Sequence, residues 1–190
     1  RGQVMNVFRS VDAGWMENCF ISGLSSGEGL IWAVRDPIRK VEPVKENNRV
    51  VGERIVTIDA GVEDKRLLVH ESEFASVLRV VAREGNTLSS VVRNAWDGLP
   101  LRITTKNSPA KATNTHISII GHITAEELCR NLDSTEAANG FANRFLWLFV
   151  RRSKCLPEGG NIQSVDFSSI VKRMIAAVDF GRKANRLGWD

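Results

Sequence analysis

Glu71 and Glu73 close the segment RLLVHESE, residues 66–73, and their spacing is the strongest chemical signal in the chain. Leu67, Leu68 and Val69 read as a buried strand, and Phe74, Val77, Leu78 and Val81 then recur at helical spacing. A strand that carries acids to its carboxyl end and turns into a helix is where open α/β sheets bind ligands. In nucleotide-hydrolysing proteins such acids hold a magnesium ion and aim the attacking water. Two residues apart on a strand, the pair shares one side. If the strand ends at Glu71, Glu73 instead opens the helix, where a carboxylate favours the positive end of the helix dipole. Both readings stand at this level.

Three further segments carry candidate chemistry. In HISIIGHIT, residues 116–124, His116, Ser118, Ile120 and His122 fall on one strand face. His122 and Thr124 sit at its carboxyl end, where a polar side chain can sense a terminal phosphate; a helix cap at Thr124 and a hydrogen-bonded histidine are the plainer alternatives. A histidine metal pair, His116 with His122, is a third. In NGFANRFLW, residues 139–147, Arg144 opens an apolar run and can serve as an arginine finger across a subunit boundary or as a structural ion pair. SGLSSGEGL, residues 22–30, offers backbone amides at a helix start, an anion-friendly arrangement. It lacks the lysine of a G-x-x-x-x-G-K-[ST] loop, and no other segment matches that motif.

The elements that must position these residues alternate. Helical patterns cover 2–12, the region from Ser25 to Pro37, 73–84, 87–96, 124–131, 134–140 and 164–180. Ser25 and Glu28 form a capping-box signature before LIWAV. Strand patterns cover 18–22, 66–71, 100–104, 115–121 and 144–151, with a hairpin expected within 38–62. A loop over 156–160, rich in proline and glycine, leads to the last helix. Strands spaced by helices predict a three-layer α/β sandwich with a mostly parallel central sheet that includes 66–71, 115–121 and 144–151.

Composition bounds the rest. A chain of 190 residues with 43% hydrophobic and 25% charged residues suits one globular domain with a real core. No apolar run approaches the roughly 20 residues of a membrane span, and no signal peptide is visible at the polar amino terminus. Three scattered cysteines, Cys19, Cys129 and Cys155, argue against a disulfide framework or a zinc site and fit a reducing cytoplasm. The net charge of +4 gathers at the carboxyl end: residues 144–190 hold 9 basic and 4 acidic side chains, against 13 and 13 in residues 1–95. Such an excess attracts phosphates, or is a solvated helix face. The chain starts at Arg1 rather than Met and opens inside a helical pattern, so it reads as part of a longer protein.

Taken together, SGLSSGEGLIWAVRDPI, DKRLLVHESEFASVL, REGNTLSSVVRNAWDG, THISIIGHITAEEL and NGFANRFLW closely resemble a family of RecA-like P-loop ATPase domains of phage, plasmid and other mobile elements. Their biological role is unassigned, and they often accompany primase-polymerase modules. The resemblance implies a RecA-like core over residues 1–160, with 161–190 as a helical extension. It implies a lysine-bearing Walker A segment just ahead of Gly2, with residues 2–12 as the helix that follows it. It further implies ATP and Mg2+ as cofactors, nucleic acid (DNA) as partner, a homo-oligomer, no membrane and a cytoplasmic location. Glu71 and Glu73 match the acidic end of the Walker B strand; the resemblance leaves open which of them takes the metal and which the water, with Glu71 as the candidate metal ligand. His122 matches a polar position, often glutamine in relatives, at the end of the sensor strand. Arg144 matches the arginine of the Gly-x-x-x-Arg-Phe-Leu pattern, and Ser72 and Thr124 are the expected nucleotide contacts. The implied activity is a helicase-like or helicase-loading ATPase of mobile-element replication. A non-catalytic oligomerisation or nucleic-acid-binding module that keeps the fold is the alternative, and a hydrolase built on paired carboxylates and histidine is a third.

Overall fold

A computed structural model describes residues 2–46, 48–104, 110–155, 157 and 160–184. The fold is mixed α/β, and the chain groups into two compact units, Cys19–Trp147 and Arg1–Asn18 with Leu148–Asp190.

The larger unit is built on three parallel strands, β1 (Phe20–Ile21), β4 (Arg66–Glu71) and β7 (His116–Gly121), in the order β1-β4-β7. β4 is central, and everything on it after Arg66 is buried. That burial is why its sequence is a continuous apolar run rather than an alternating one. The register sets Leu67 beside Ile117 and Val69 beside both Ile21 and Ile119. These five face one way and join the hydrophobic core. Against them lie α3 (Gly27–Ala33), α4 (Phe74–Val81) and α5 (Leu88–Trp96), which bury Leu30, Ile31, Phe74, Val77, Leu78, Leu88 and Val91. Phe20, Leu68 and His70 belong to the other face, where the Phe20 and His70 rings stack 6.0 Å apart.

Local chemistry starts the helices between Gly27 and Ala138 within two residues of where the sequence predicts, whereas the last helix begins at Ser168, four residues after the expected 164, and the helix Ala13–Asn18 is not among those expected. α3 is capped by Ser26, whose hydroxyl accepts from the Gly29 N–H. The capping signature thus lies one residue later than Ser25, and Glu28 meets the Thr87 hydroxyl instead. α6 (Ala125–Asn131) carries a full capping box between Thr124 and Glu127. α7 (Ser134–Ala138) starts on Asp133, which accepts from the Glu136 N–H. Leu101–Arg102 (β5) and Lys111–Ala112 (β6) form a short antiparallel pair.

The hairpin expected within 38–62 is present as β2 (Ile38–Glu46) and β3 (Arg49–Asp59). It turns at Asn48, whose φ of +64° is a left-handed value that asparagine tolerates. Its base is fastened to the end of α3. Arg35 grips Asp59 through two 2.8 Å bonds, and its guanidinium lies 3.9 Å from the Trp32 ring centre. Gly61, at φ +72°, lets the returning chain press against the Asp36–Pro37 backbone, where a Cβ would sit 2.6 Å away.

One expected strand is corrected. Residues 144–151 are not part of the sheet: Ala142–Arg144 is a 3-10 turn, and residues 145–151 belong to no ladder. The apolar run has strand composition, but a strand exists only where a neighbour takes its hydrogen bonds. Phe145 and Trp147 pack by their rings against Phe74, at 5.2 and 6.2 Å, while Leu146, Leu148, Phe149 and Val150 are 74–84% exposed.

The smaller unit holds α1 (Gly2–Val11), α2 (Ala13–Asn18) and the 16-residue α8 (Ser168–Lys183). α1 packs along α8, and Arg182 bonds Asp12 at 2.6 Å. The loop expected over 156–160 falls largely outside the described residues. Among those described, no helix is long and apolar enough to cross a membrane.

Candidate functional site at the ends of β4 and β7

Glu71, Ser72, Glu73, His122 and Thr124 lie at one end of the sheet, while His116 and Arg144 do not join them. β4 and β7 finish in register, Glu71 beside Gly121. Beyond that point the main chains stay tied. His122 N–H donates to the Glu71 carbonyl at 2.9 Å, and Phe74 N–H donates to the His122 carbonyl at 2.8 Å. His122 is thereby held between the strand that ends at Glu71 and the helix that follows Glu73. Gly121 has no Cβ because the Phe74 side chain lies where one would be, 2.6 Å away.

The two glutamates have different surroundings. Alternation turns Glu71 to the side of Leu67 and Val69, toward the helices, and it is buried. Its Oε1 accepts from the Gly23 and Leu24 N–H groups, both at 2.7 Å. Within SGLSSGEGL the amides that meet a carboxylate are therefore those of Gly23 and Leu24, in the loop ahead of α3 rather than at the helix start, and the carboxylate is the chain's own Glu71. Glu73 is exposed, occupies the cap position of α4 without a capping bond, and has no side-chain partner among the described residues. Ser72 between them is also exposed.

His122 is exposed, with its ring centre 5.3 Å from that of the buried His70. Thr124 is engaged in its capping box, its hydroxyl 2.9 Å from Glu127. His116 lies at the opposite end of β7 from His122, so the two do not form a pair. Among the described residues no group of three or more His, Cys, Asp or Glu side chains is placed to hold a metal ion.

Arg144 turns to a different set of partners. Its Nη1 donates to the Gly140 carbonyl at 2.8 Å, and its Nη2 lies 3.2 Å from Asp97 at the end of α5. Its Nε is buried without a hydrogen-bond partner among the described residues.

A second polar knot gave no signal in the sequence. The Lys65 ammonium donates to the carbonyls of Val34 and Arg35, at 2.7 and 2.6 Å, and to Asp36 at 3.0 Å. Asp36 also accepts from the Thr113 N–H and hydroxyl. Burial pushes the Asp36 carboxyl up, but the bonds from Lys65 and Thr113 outweigh it and hold the group below the usual aspartate range. A cation on the carbonyls of Val34, the C-cap of α3, and of Arg35 after it also opposes the negative end of that helix. The knot fixes the segment from which β4 starts. Lysines and aspartates 29 residues apart carry no periodic pattern, so only the fold reveals it.

Comparison with protein-family models, curated proteins and solved structures finds no match.

Proposed function

We propose that the chain is part of a nucleic-acid-associated ATPase, helicase-like or helicase-loading, that serves mobile-element DNA replication in the cytoplasm as a homo-oligomer. The observation that carries the reading is the position of Glu71 and Glu73 at the carboxyl end of the central strand of a parallel sheet. Ligands of open α/β sheets bind at that end. The reading takes the sheet as part of a RecA-like three-layer sandwich, with β4 as the Walker B strand and β7 as the sensor strand.

Mg2+ commonly uses one or two carboxylates together with substrate phosphates, rather than an all-protein cage. Glu73, exposed and with no side-chain partner among the described residues, fits the carboxylate part of that donor set. The ion supplies neutralisation of the charge on the phosphoryl group in flight. His122, fixed by its two main-chain bonds, would report the terminal phosphate to α4 through the Phe74 amide. Arg144 would act on a nucleotide held by a neighbouring protomer, which requires it to leave Asp97. The exposed Lys172, Arg173 and Lys183 of α8 supply positive charge for a phosphate backbone.

The test is ATP hydrolysis by the full-length gene product, with Mg2+, with and without single-stranded DNA. Stimulated turnover supports the reading. Absence of both ATP binding and turnover overturns it. The second reading, a non-catalytic assembly or DNA-binding module on the same fold, is favoured by the in-chain capture of Arg144. It would leave salt-dependent DNA binding without turnover.

A further inference from the structure

Resting on the ATPase reading, we infer that the two glutamates divide the labour: Glu71 is a positioning residue that clasps the β1–α3 loop, and Glu73 is the acid that meets the cation or the attacking water. The clasp is visible in atoms. One carboxylate oxygen of Glu71 accepts two main-chain N–H groups, from Gly23 and Leu24, each at 2.7 Å. Charge-assisted bonds of this length are the strong ones. They satisfy two donors at the end of β1, in a loop where Gly23 adopts φ +85°. Leu24 is itself part of the buried core. An unmade bond there would leave a buried amide without a partner.

Glu71 thus serves the fold in the state described. It sets the distance between the end of β1 and the end of β4, and holds the approach to Ser26, the cap of α3. A glutamate engaged in this way offers little to a ligand in the solvent. Glu73 meets the opposite requirement. It stands two residues further on, exposed, at a helix start, with no side-chain hydrogen bond to surrender among the described residues.

The substitution that separates the roles is Glu71→Gln. A glutamine keeps a carbonyl oxygen that can accept from both amides, but it cannot serve as a base and is a poor metal ligand. Glu71→Gln in the full-length protein should keep turnover within about threefold of wild type, and Glu71→Ala should lose about tenfold or more. Glu73→Gln should lose on the order of 10²-fold or more while ATP binding survives. Hydrogen exchange at the Gly23 and Leu24 amides gives an independent readout. Protection should survive Glu71→Gln and Glu73→Gln, and fall about tenfold in Glu71→Ala. An inactive Glu71→Gln protein with those amides still protected overturns the division, as does an active Glu73→Gln protein. Unprotected amides in the wild type overturn the clasp. A wild type without ATP turnover removes the underlying reading and Glu73's role with it, while exchange still decides the clasp.

Discussion

Arg144 bridges two parts of its own chain, with Nη1 2.8 Å from the Gly140 carbonyl and Nη2 3.2 Å from the Asp97 carboxylate. The arginine is about one-quarter exposed and the aspartate about two-fifths, so solvent screens the pair. Its coupling in a double-mutant cycle of Arg144→Ala and Asp97→Ala, read by chemical denaturation, should be under about 1 kcal/mol. A weak bond is also what a finger must break before it reaches a neighbour. Mixing full-length Arg144→Ala with Glu71→Gln/Glu73→Gln protein should restore ATPase activity if Arg144 acts in trans. No recovery in assemblies shown to be mixed counts against that role.

Gly121→Ala should be costly although the change is one methyl group. The added Cβ would meet Phe74 Cδ2 at 2.6 Å and Cγ at 2.7 Å, and Phe74 is itself fully buried. Overpacking of this kind costs about 1–3 kcal/mol. Pairing it with Phe74→Leu should recover part of the loss in thermal denaturation. Simple additivity of the two losses would show that Phe74 is not the obstacle.

Lys65→Met keeps much of the side-chain volume and removes three hydrogen bonds. It leaves Asp36 charged and largely buried, with Thr113 as its remaining side-chain partner among the described residues. Loss of one partner from such a pair costs about 3–5 kcal/mol. Adding Asp36→Asn should return a measurable part of that loss, because the stranded charge is then gone. A Lys65→Met protein as stable as wild type would contradict the knot.

Acid should weaken the fold through two aspartates. Hydrogen bonds from Arg66 lower the Asp64 carboxyl from 3.8 to about 2, and the bonds from Lys65 and Thr113 hold Asp36 low against its burial. Both folded-state values lie below the unfolded ones. Their contribution is therefore complete above the ordinary aspartate value and is lost as pH falls from about 4 toward 2. Denaturation midpoints across that window should decline, and Asp64→Asn should flatten part of the decline. An equally steep decline in Asp64→Asn would assign the effect elsewhere.

What could be read from the sequence was whatever depends on local order. The apolar run at Leu67–Val69 foretold a central strand, and Glu71 was legible as its last residue. Thr124 was legible as a helix cap and is one, while the capping signature at Ser25 fell one residue short of Ser26. Failure came where an element depends on a distant partner. Residues 144–151 have the composition of a strand, but composition does not supply a neighbouring edge, and the rings of Phe145 and Trp147 found Phe74 instead. The sequence separates Glu71 from Glu73 only by where the strand ends; what engages Glu71 is two amides 47 and 48 residues away. Backbone donors have no side-chain signature, so that distinction exists only in three dimensions.

The β2–β3 hairpin has few buried positions, and with β3 running 11 residues it extends over about 35 Å. Its firm fastening is at the root, where Arg35 holds Asp59 and Gly61 presses on Asp36. That root adjoins Val34, Arg35 and Asp36, just past α3, the three residues that hold the Lys65 ammonium. Lys65 is the residue immediately before β4. The root of the hairpin and the start of the strand that ends at Glu71 therefore share one polar knot, so whatever holds or shifts that root bears directly on the base of β4.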